Sequence, residues 1–214
     1  MRTRSIASTI VLLLTGALLL GIGIGAYFVT VGVSARPQPS ALESSTARTI
    51  RGIAIRTRVR GLTNPVPVTP DIVQEGMEHF ADHCAVCHAN DGSGNTEMSR
   101  GLYPRAPDMR LPATQSLSDA ELFYIIENGV RLTGMPGWSN GTKDGETSSW
   151  HLVHFIRHLP TLTEEEVAQM EDLNPRTPGE MQQREEEKKF LQGGDADAPP
   201  ATPTHEHAHT GAHE

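Results

Sequence analysis

The clearest chemical pattern in the sequence is formed by two cysteines and a histidine. Cys84 and Cys87 are the only cysteines of the chain, and His88 follows them directly. The spacing C-x-x-C-H is the attachment signal for haem c. Two thiols three residues apart can each reach one vinyl group on the same edge of the porphyrin, and the next residue then lies under the iron. We therefore predict one covalent haem c, bound through Cys84 and Cys87, with His88 as the proximal ligand.

Two other uses of a C-x-x-C pair are less consistent with the surrounding sequence. A thioredoxin-like redox pair requires a βαβ context, whereas the flanking segments have helical patterns. A zinc site requires further cysteine or histidine ligands. His79 and His83 lie nearby, but the chain has no second cysteine pair. Covalent haem attachment is therefore the preferred interpretation.

A methionine is the best candidate for the second axial ligand, because methionine–histidine ligation is a standard arrangement of haem iron. The candidates are Met98, Met109 and Met135. Met135 lies in the Gly-Met-Pro segment 134–136, on a loop between two predicted helices, where the chain can cross the open face of the haem. We predict Met135 as the ligand, and Met98 and Met109 as packing or surface residues. The alternative ligand is a histidine of the third predicted helix, which carries His151, His154 and His158.

Helices must position these residues, and four helix starts can be recognised from their capping patterns. The starts are Thr69 with Pro70, Ser118 with Glu121, Thr147 or Ser148, and Thr163 with Glu166. The first helix runs into the segment 84–88, and the third ends at Pro160. The predicted fold class is therefore all-α, a small helical domain around one haem.

The N-terminal segment is predicted to cross a membrane. Residues 5–35 contain no charged side chain, and about 20 apolar residues are enough to span a bilayer as a helix. We predict an uncleaved membrane segment at 6–33. The alternative is a signal peptide cleaved after Ala35, because Val33-Ser34-Ala35 resembles a cleavage site.

The rest of the chain divides by composition. We predict a signal anchor at 1–35, a Pro/Arg-rich linker at 36–67, a mono-haem domain at 68–160, an acidic helical extension at 161–192 and a disordered His-rich tail at 193–214. Residues 53–60 of the linker alternate in polarity, which fits a short strand or an extended stalk, and we predict the stalk. The tail carries His205, His207, His209 and His213, which could bind a divalent metal ion or could simply be solvated.

The distribution of charge excludes one class of function. The formal net charge is −8, although the first 67 residues carry eight Arg and one acidic residue. Nucleic-acid binding requires a basic footprint, which the predicted haem domain lacks, so we exclude it. The acidic surface would suit a basic protein partner, although such groups most often serve only solubility.

The motif Cys84-Ala85-Val86-Cys87-His88, the segment Gly134-Met135-Pro136 and the order of the helices together resemble a class I cytochrome c of the bacterial membrane-anchored kind. The resemblance covers about Thr69 to Pro160. It implies an all-α fold whose first and last helices cross near the haem edge. In this chain the crossing would bring Gly76 and Phe80 against Trp150 or Val153.

The same resemblance implies further contacts to the haem. A proline carbonyl would accept a hydrogen bond from the ring of His88, and Pro107 is the preferred candidate over Pro104. Arg131 and Trp138, which lie beside the ligand loop, are candidates for contacts to the haem propionates. The resemblance also implies a haem domain on the periplasmic side of the cytoplasmic membrane, or in the periplasm if the signal is cleaved.

The expected function is one-electron transfer to redox protein partners, by a tethered carrier or a subunit of a respiratory-type complex. An iron with histidine and methionine ligands has no open position for a substrate, so we do not expect the chain itself to be an enzyme. The alternatives are a haem-based sensor or enzyme with a labile sixth ligand, and a metal-handling role for the His-rich tail.

Overall fold

The computed structural model describes residues 2–191, and every regular element in that range is helical. This confirms the all-α prediction. The helices are α1 Arg2–Val31, α2 Ala41–Arg56, α3 Pro70–His79, α4 Ala85–His88, α5 Glu97–Arg100, α6 Pro112–Gln115, α7 Asp119–Asn128, α8 Lys143–His158, α9 Glu164–Leu173 and α10 Pro178–Leu191. A π-helical turn, Phe80–Cys84, joins α3 to α4, and a 3₁₀ turn, Leu159–Thr161, joins the end of α8 to the next loop.

Helix α1 contains the predicted membrane segment. Residues Ile6–Thr30 are long and apolar enough to cross a bilayer, and none of this stretch is buried within the protein. An apolar helix without protein contacts would be unstable in water, because its side chains would remain hydrated. A lipid environment removes that cost.

Helix α3 begins where the sequence predicts. The hydroxyl of Thr69 accepts a hydrogen bond from the backbone N–H of Ile72 at 3.3 Å, and Pro70 occupies the first turn. The chain then passes through the π-helical turn without leaving the helical path, so the segment 84–88 continues the same rod. A π turn contains one extra residue per turn and therefore rotates the following side chains relative to α3.

Helices α3 and α8 of the domain cross at a glycine. A Cβ atom on Gly76 would lie 2.3 Å from the carbonyl oxygen of His151 and 2.9 Å from Cβ of Phe155. The ring of Phe80, one turn further along, lies 5.2 Å from the ring of Phe155. The predicted crossing is therefore present, but His151 and Phe155 face Gly76 instead of Trp150 or Val153.

Trp150 points to a different neighbour. Its ring stacks on Phe123 of α7 with a centroid separation of 4.0 Å. Helix α8 thus packs against α3 on one side and α7 on another, and the buried side chains between these helices form the core. The core holds Met77, Phe80, Leu122, Ile126, Trp150, Val153, Phe155, Ile156, Leu159 and Met170, each at most 5 % exposed.

Helix α8 begins earlier than the predicted start at Thr147 or Ser148. The hydroxyl of Thr142 caps it by accepting from the N–H of Gly145 at 3.1 Å. The first turn contains only polar residues and glycine, so it carries no apolar periodicity. Two acidic residues in that turn, Asp144 and Glu146, interact favourably with the positive end of the helix dipole.

The prediction that the linker is an extended stalk is wrong, because residues 41–56 form the helix α2. Ile55 and Val59 are buried, at 6 % and 8 % exposure, and pack with Ala120 of α7. The alternating pattern was misleading because Ile55 and Val59 are also four residues apart, which is the spacing of one helix face. Contact with α7 decides between the two periodicities.

Helix α9 packs into the same core as the preceding helices. Its Met170 is completely buried, and the compact unit that includes the predicted domain continues to Asn174, beyond Pro160. The capping boxes of α7 and α9 are both formed as predicted. Helix α10, in a separate unit, contains the run Glu185–Lys189 and has no buried residue.

Candidate functional site

The C-x-x-C-H residues lie on one short rod at the end of α3. Cys84 closes the π-helical turn, and Cys87 and His88 belong to α4. Both cysteines are free thiols with half-buried side chains. Burial, together with the neighbouring Cys87, raises the pKa of Cys84 to about 12, and burial also raises the pKa of Cys87. The two cysteines are not joined to each other by a disulfide, so both are available for thioether bonds.

His88 is buried in the domain. The residue is 8 % exposed, and its ring centroid lies 6.4 Å from that of Phe80. Nδ1 of His88 is buried, and it lies near the backbone of Pro107 without meeting strict hydrogen-bond geometry. Burial lowers the pKa of His88, and the backbone of Pro107 acts in the opposite direction. A neutral imidazole held in this way has the protonation state that an iron ligand needs.

The backbone around Pro107 is held close to the loop that follows His88. The N–H of Gly94 donates to the carbonyl of His88 at 2.8 Å. A Cβ on Gly94, whose φ is +71°, would lie 3.0 Å from the carbonyl oxygen of Pro107. The buried hydroxyl of Ser99 accepts from the N–H of Ala106 at 3.0 Å and so fixes the same stretch. Pro107 is thereby brought beside His88.

Ser99 and Thr96 were missed by the sequence reasoning. The hydroxyl of Thr96 donates to the carbonyl of Cys87 at 3.2 Å and also caps α5, which carries Ser99. Thr96 followed by Glu97 is a helix-start signal that could have revealed α5. Its connection to the attachment motif could not be read from the sequence, because it depends on the path of the loop.

The loop that carries Met135 is folded back on the end of α7. The N–H of Val130 donates to the carbonyl of Met135 at 3.1 Å, and the N–H of Met135 donates to the hydroxyl of Thr133 at 3.1 Å. Gly129 has a φ of +66°, and a Cβ there would lie 2.6 Å from the carbonyl oxygen of Met135. Glycine is therefore required at the start of this loop. Met135 itself is half-buried.

The other candidate ligands already have different surroundings. Met109 belongs to the hydrophobic core, as expected for a packing residue. Met98 is 53 % exposed, as expected for a surface residue. Nδ1 of His151 lies 2.9 Å from Glu75, and Nε2 of His158 lies 2.7 Å from Glu166. Nε2 of His154 lies 2.9 Å from the carbonyl of Val66. These contacts favour structural roles for the three histidines.

Trp138 lies beside the attachment motif. It lines a cavity of about 330 Å³ together with Cys84, His83 and Leu152. Its ring meets the ring of His83 edge to face, at a centroid separation of 5.4 Å. Arg131 is exposed and does not line this cavity. The structure therefore brings Trp138 to Cys84 and leaves Arg131 on the exposed part of the Met135 loop.

The residues present fit a covalent haem better than a bare metal ion. Within residues 2–191 no group of three or more His, Cys, Asp or Glu side chains is arranged to hold a metal. The same range has no strand, so a thioredoxin-like βαβ unit is not formed there. Two thiols that are not joined by a disulfide and a buried histidine beside Pro107 match the attachment and ligation that haem c requires. The predicted tail ligands, His205, His207, His209 and His213, lie outside the described residues.

Comparisons with known proteins agree with this site. The family described as cytochrome c oxidase, cbb3-type, subunit III matches residues 71–156. The cbb3-type cytochrome c oxidase subunit FixPc of Rhizobium leguminosarum bv. viciae is 32% identical over 101 residues, which are 47% of this chain and 32% of the relative. Subunit FixP of Rhizobium meliloti (strain 1021) is 32% identical over 94 residues, 44% of this chain and 29% of the relative.

The chain spans about a third of the length of these curated relatives. The matched region contains the attachment motif, the Pro107 stretch, the Met135 loop and almost all of α8. It excludes α1, α2 and α10. The chain therefore contains a class I c-type cytochrome domain, which follows an N-terminal helix of membrane-spanning length.

Proposed function

We propose that this cytochrome carries one electron at a time on a single haem c, attached at Cys84 and Cys87, with His88 and Met135 as the axial ligands. The observation that carries the proposal is the C-x-x-C-H turn, with His88 buried, inside the segment that matches the cytochrome family. The chain has only two cysteines, so it can form one such motif and hold one haem by two thioether bonds.

The surrounding residues would keep the ligands fixed during the reaction. Haem c supplies reversible one-electron chemistry at its iron when bound. Pro107 would accept a hydrogen bond from Nδ1–H of His88, which orients the ring and increases its basicity. Thr133 and Gly129 hold the backbone of Met135. Two protein ligands leave no position for a substrate, so the chain acts as a carrier and not as an enzyme.

The partners are proposed from the relatives and the N-terminal helix. Both curated relatives are named as subunits of a cbb3-type cytochrome c oxidase. We infer that this chain is likewise a subunit of, or a donor to, a membrane-bound respiratory oxidase, with redox proteins as partners. Haem c is assembled outside the cytoplasmic membrane, so the domain after α1 would face the periplasm. Trp138 and Arg131 would contact the haem propionates.

The experiment that tests this function is the visible spectrum of the purified chain, oxidised and reduced, with a pyridine haemochrome assay. We expect one haem c per chain and the weak long-wavelength band of methionine bound to ferric iron. A haem content of zero, after expression in a host that assembles haem c, would contradict the proposal. A high-spin spectrum without the methionine band would instead favour a sensor or an enzyme.

The axial ligand is tested by Met135→Ala. This variant should lose the methionine band, bind added imidazole or cyanide readily, and have a lower reduction potential, because methionine ligation raises the potential. Met98→Ala is the matched control, since Met98 is 53 % exposed. An unchanged potential and spectrum in Met135→Ala would exclude Met135 as the ligand.

A further inference from the structure

Helix α2 has an apolar face that nothing else in residues 2–191 covers. Leu42, Ile50 and Ile53 on this helix are 77 %, 64 % and 61 % exposed. At 100° per residue these three side chains point within about 80° of one another. Ile55 points the opposite way and is buried against α7. One face of α2 therefore packs on the cytochrome domain while the other presents aliphatic side chains outward.

The direction of this outer face is fixed by contacts at both ends of α2. Near the N-terminal end, the hydroxyl of Tyr103 donates to the carboxylate of Glu43 at 2.7 Å. At the C-terminal end, Nε of Arg56 donates to the buried carboxylate of Glu121 at 3.0 Å. Together with buried Ile55, these contacts attach α2 to the domain.

The position of α2 along the chain keeps it close to the membrane. The candidate span ends at Thr30, and only residues 32–40 separate α1 from α2. A fully extended segment of that length reaches at most about 30 Å. The first turn of α2 must therefore lie near the surface of any bilayer that α1 crosses.

The charges around α2 complement an anionic surface. Between residues 36 and 60 the chain has six arginines and a single acid, Glu43, which is engaged by Tyr103. Arg36 precedes the helix, and Arg58 and Arg60 follow it, all three exposed. Each arginine near a membrane that contains anionic lipids strengthens binding to the membrane surface. An apolar helix face flanked by arginines is typical of a helix that lies in the membrane interface.

We propose that α2 lies in the membrane interface, with Leu42, Ile50 and Ile53 in contact with lipid and the flanking arginines at anionic headgroups. The helix then holds the cytochrome domain in one orientation on the bilayer, instead of leaving it at the end of a flexible tether. This surface is separate from the electron-transfer site, so its test does not depend on the reduction potential or the axial ligands.

The test uses the full haem-loaded chain in vesicles of phosphatidylcholine and phosphatidylglycerol. Single cysteines are introduced by Ile50→Cys, Ile53→Cys and, as a control at an exposed position on the side of α2 that carries Ile55, Arg48→Cys. The wild-type chain is the blank, because thioether formation blocks its own cysteines. A membrane-impermeant maleimide should label the first two variants at least about tenfold more slowly than Arg48→Cys, since lipid covers their thiols.

Equal labelling rates for Ile53→Cys and Arg48→Cys would overturn the proposal. A second experiment with a diazirine-bearing phospholipid should cross-link lipid to the outer face of α2. Protection from the maleimide without lipid cross-linking would assign the face to a protein partner. Protection that disappears when each vesicle contains a single chain would assign it to a second copy. Either result would also overturn the proposal.

Discussion

Replacing Gly76 by alanine should separate the two helices that form the core of the haem domain. The added Cβ would lie 2.3 Å from the carbonyl oxygen and 2.8 Å from the carbonyl carbon of His151. These are backbone atoms of α8, so no side-chain rotation can relieve the contact. Overpacking of this kind costs about 2–3 kcal/mol, whereas exchanging glycine for alanine inside a helix gains about 1 kcal/mol. The expected result is a loss of about 1–2 kcal/mol in the free energy of unfolding.

The assay is urea unfolding of the haem-loaded chain, followed by circular dichroism in the Soret region, which reports on the haem pocket. Gly52→Ala is the matched control, because Gly52 lies inside α2 and a Cβ there meets nothing within 4 Å. Its free energy of unfolding should be unchanged or raised by up to about 1 kcal/mol. If Gly76→Ala were as stable as Gly52→Ala, the close crossing of α3 and α8 would be refuted.

Three further results are expected. Gly129→Ala should weaken the methionine band in the visible spectrum, since its Cβ would strike the backbone of the Met135 loop, whereas Gly141→Ala, also at positive φ but with nothing within 4 Å, should leave the band intact. Burial raises the pKa of Glu121, but hydrogen bonds from Ser118 and Arg56 outweigh it and hold the pKa below its usual value. Stability from Glu121 is therefore present above about pH 4.3, the unfolded value, and is lost as the pH falls through the lower folded value. The Glu121→Gln variant should lack the loss of stability that titration of Glu121 causes in acid unfolding. An acid-unfolding profile identical to that of the wild-type chain would contradict the lowered pKa of Glu121. Arg56→Ala should cost less than about 1 kcal/mol in urea unfolding, because that side chain is 71% exposed, and a much larger loss would mean that the ion pair is essential for docking α2.

The sequence by itself determined the local features, because they depend on residues a few positions apart. The caps at Thr69, Ser118 and Thr163 each join a side chain to a backbone group three residues away, and all three are formed. The C-x-x-C-H motif is local in the same way, and its spacing was enough to predict haem c and the cytochrome family. That Cys84, Cys87, His88 and Met135 hold the haem stays a prediction of this motif and its resemblance.

Only the tertiary structure decided how distant segments meet. The sequence predicted that α3 and α8 cross at Gly76. It did not predict that His151 would face Gly76, because the contacts between two distant helices depend on how they pack. The buried hydroxyl of Ser99 holds Pro107 beside His88 through a loop whose path depends on the whole fold.

The linker is the clearest case. Its alternating residues fit a strand and a helix equally well, and the helix α2 is the form that buries Ile55 against α7 and brings Arg56 to the carboxylate of Glu121. Those contacts join residues about 65 positions apart. Their energy depends on burial and distance in the folded chain, which no pattern of neighbouring residues contains.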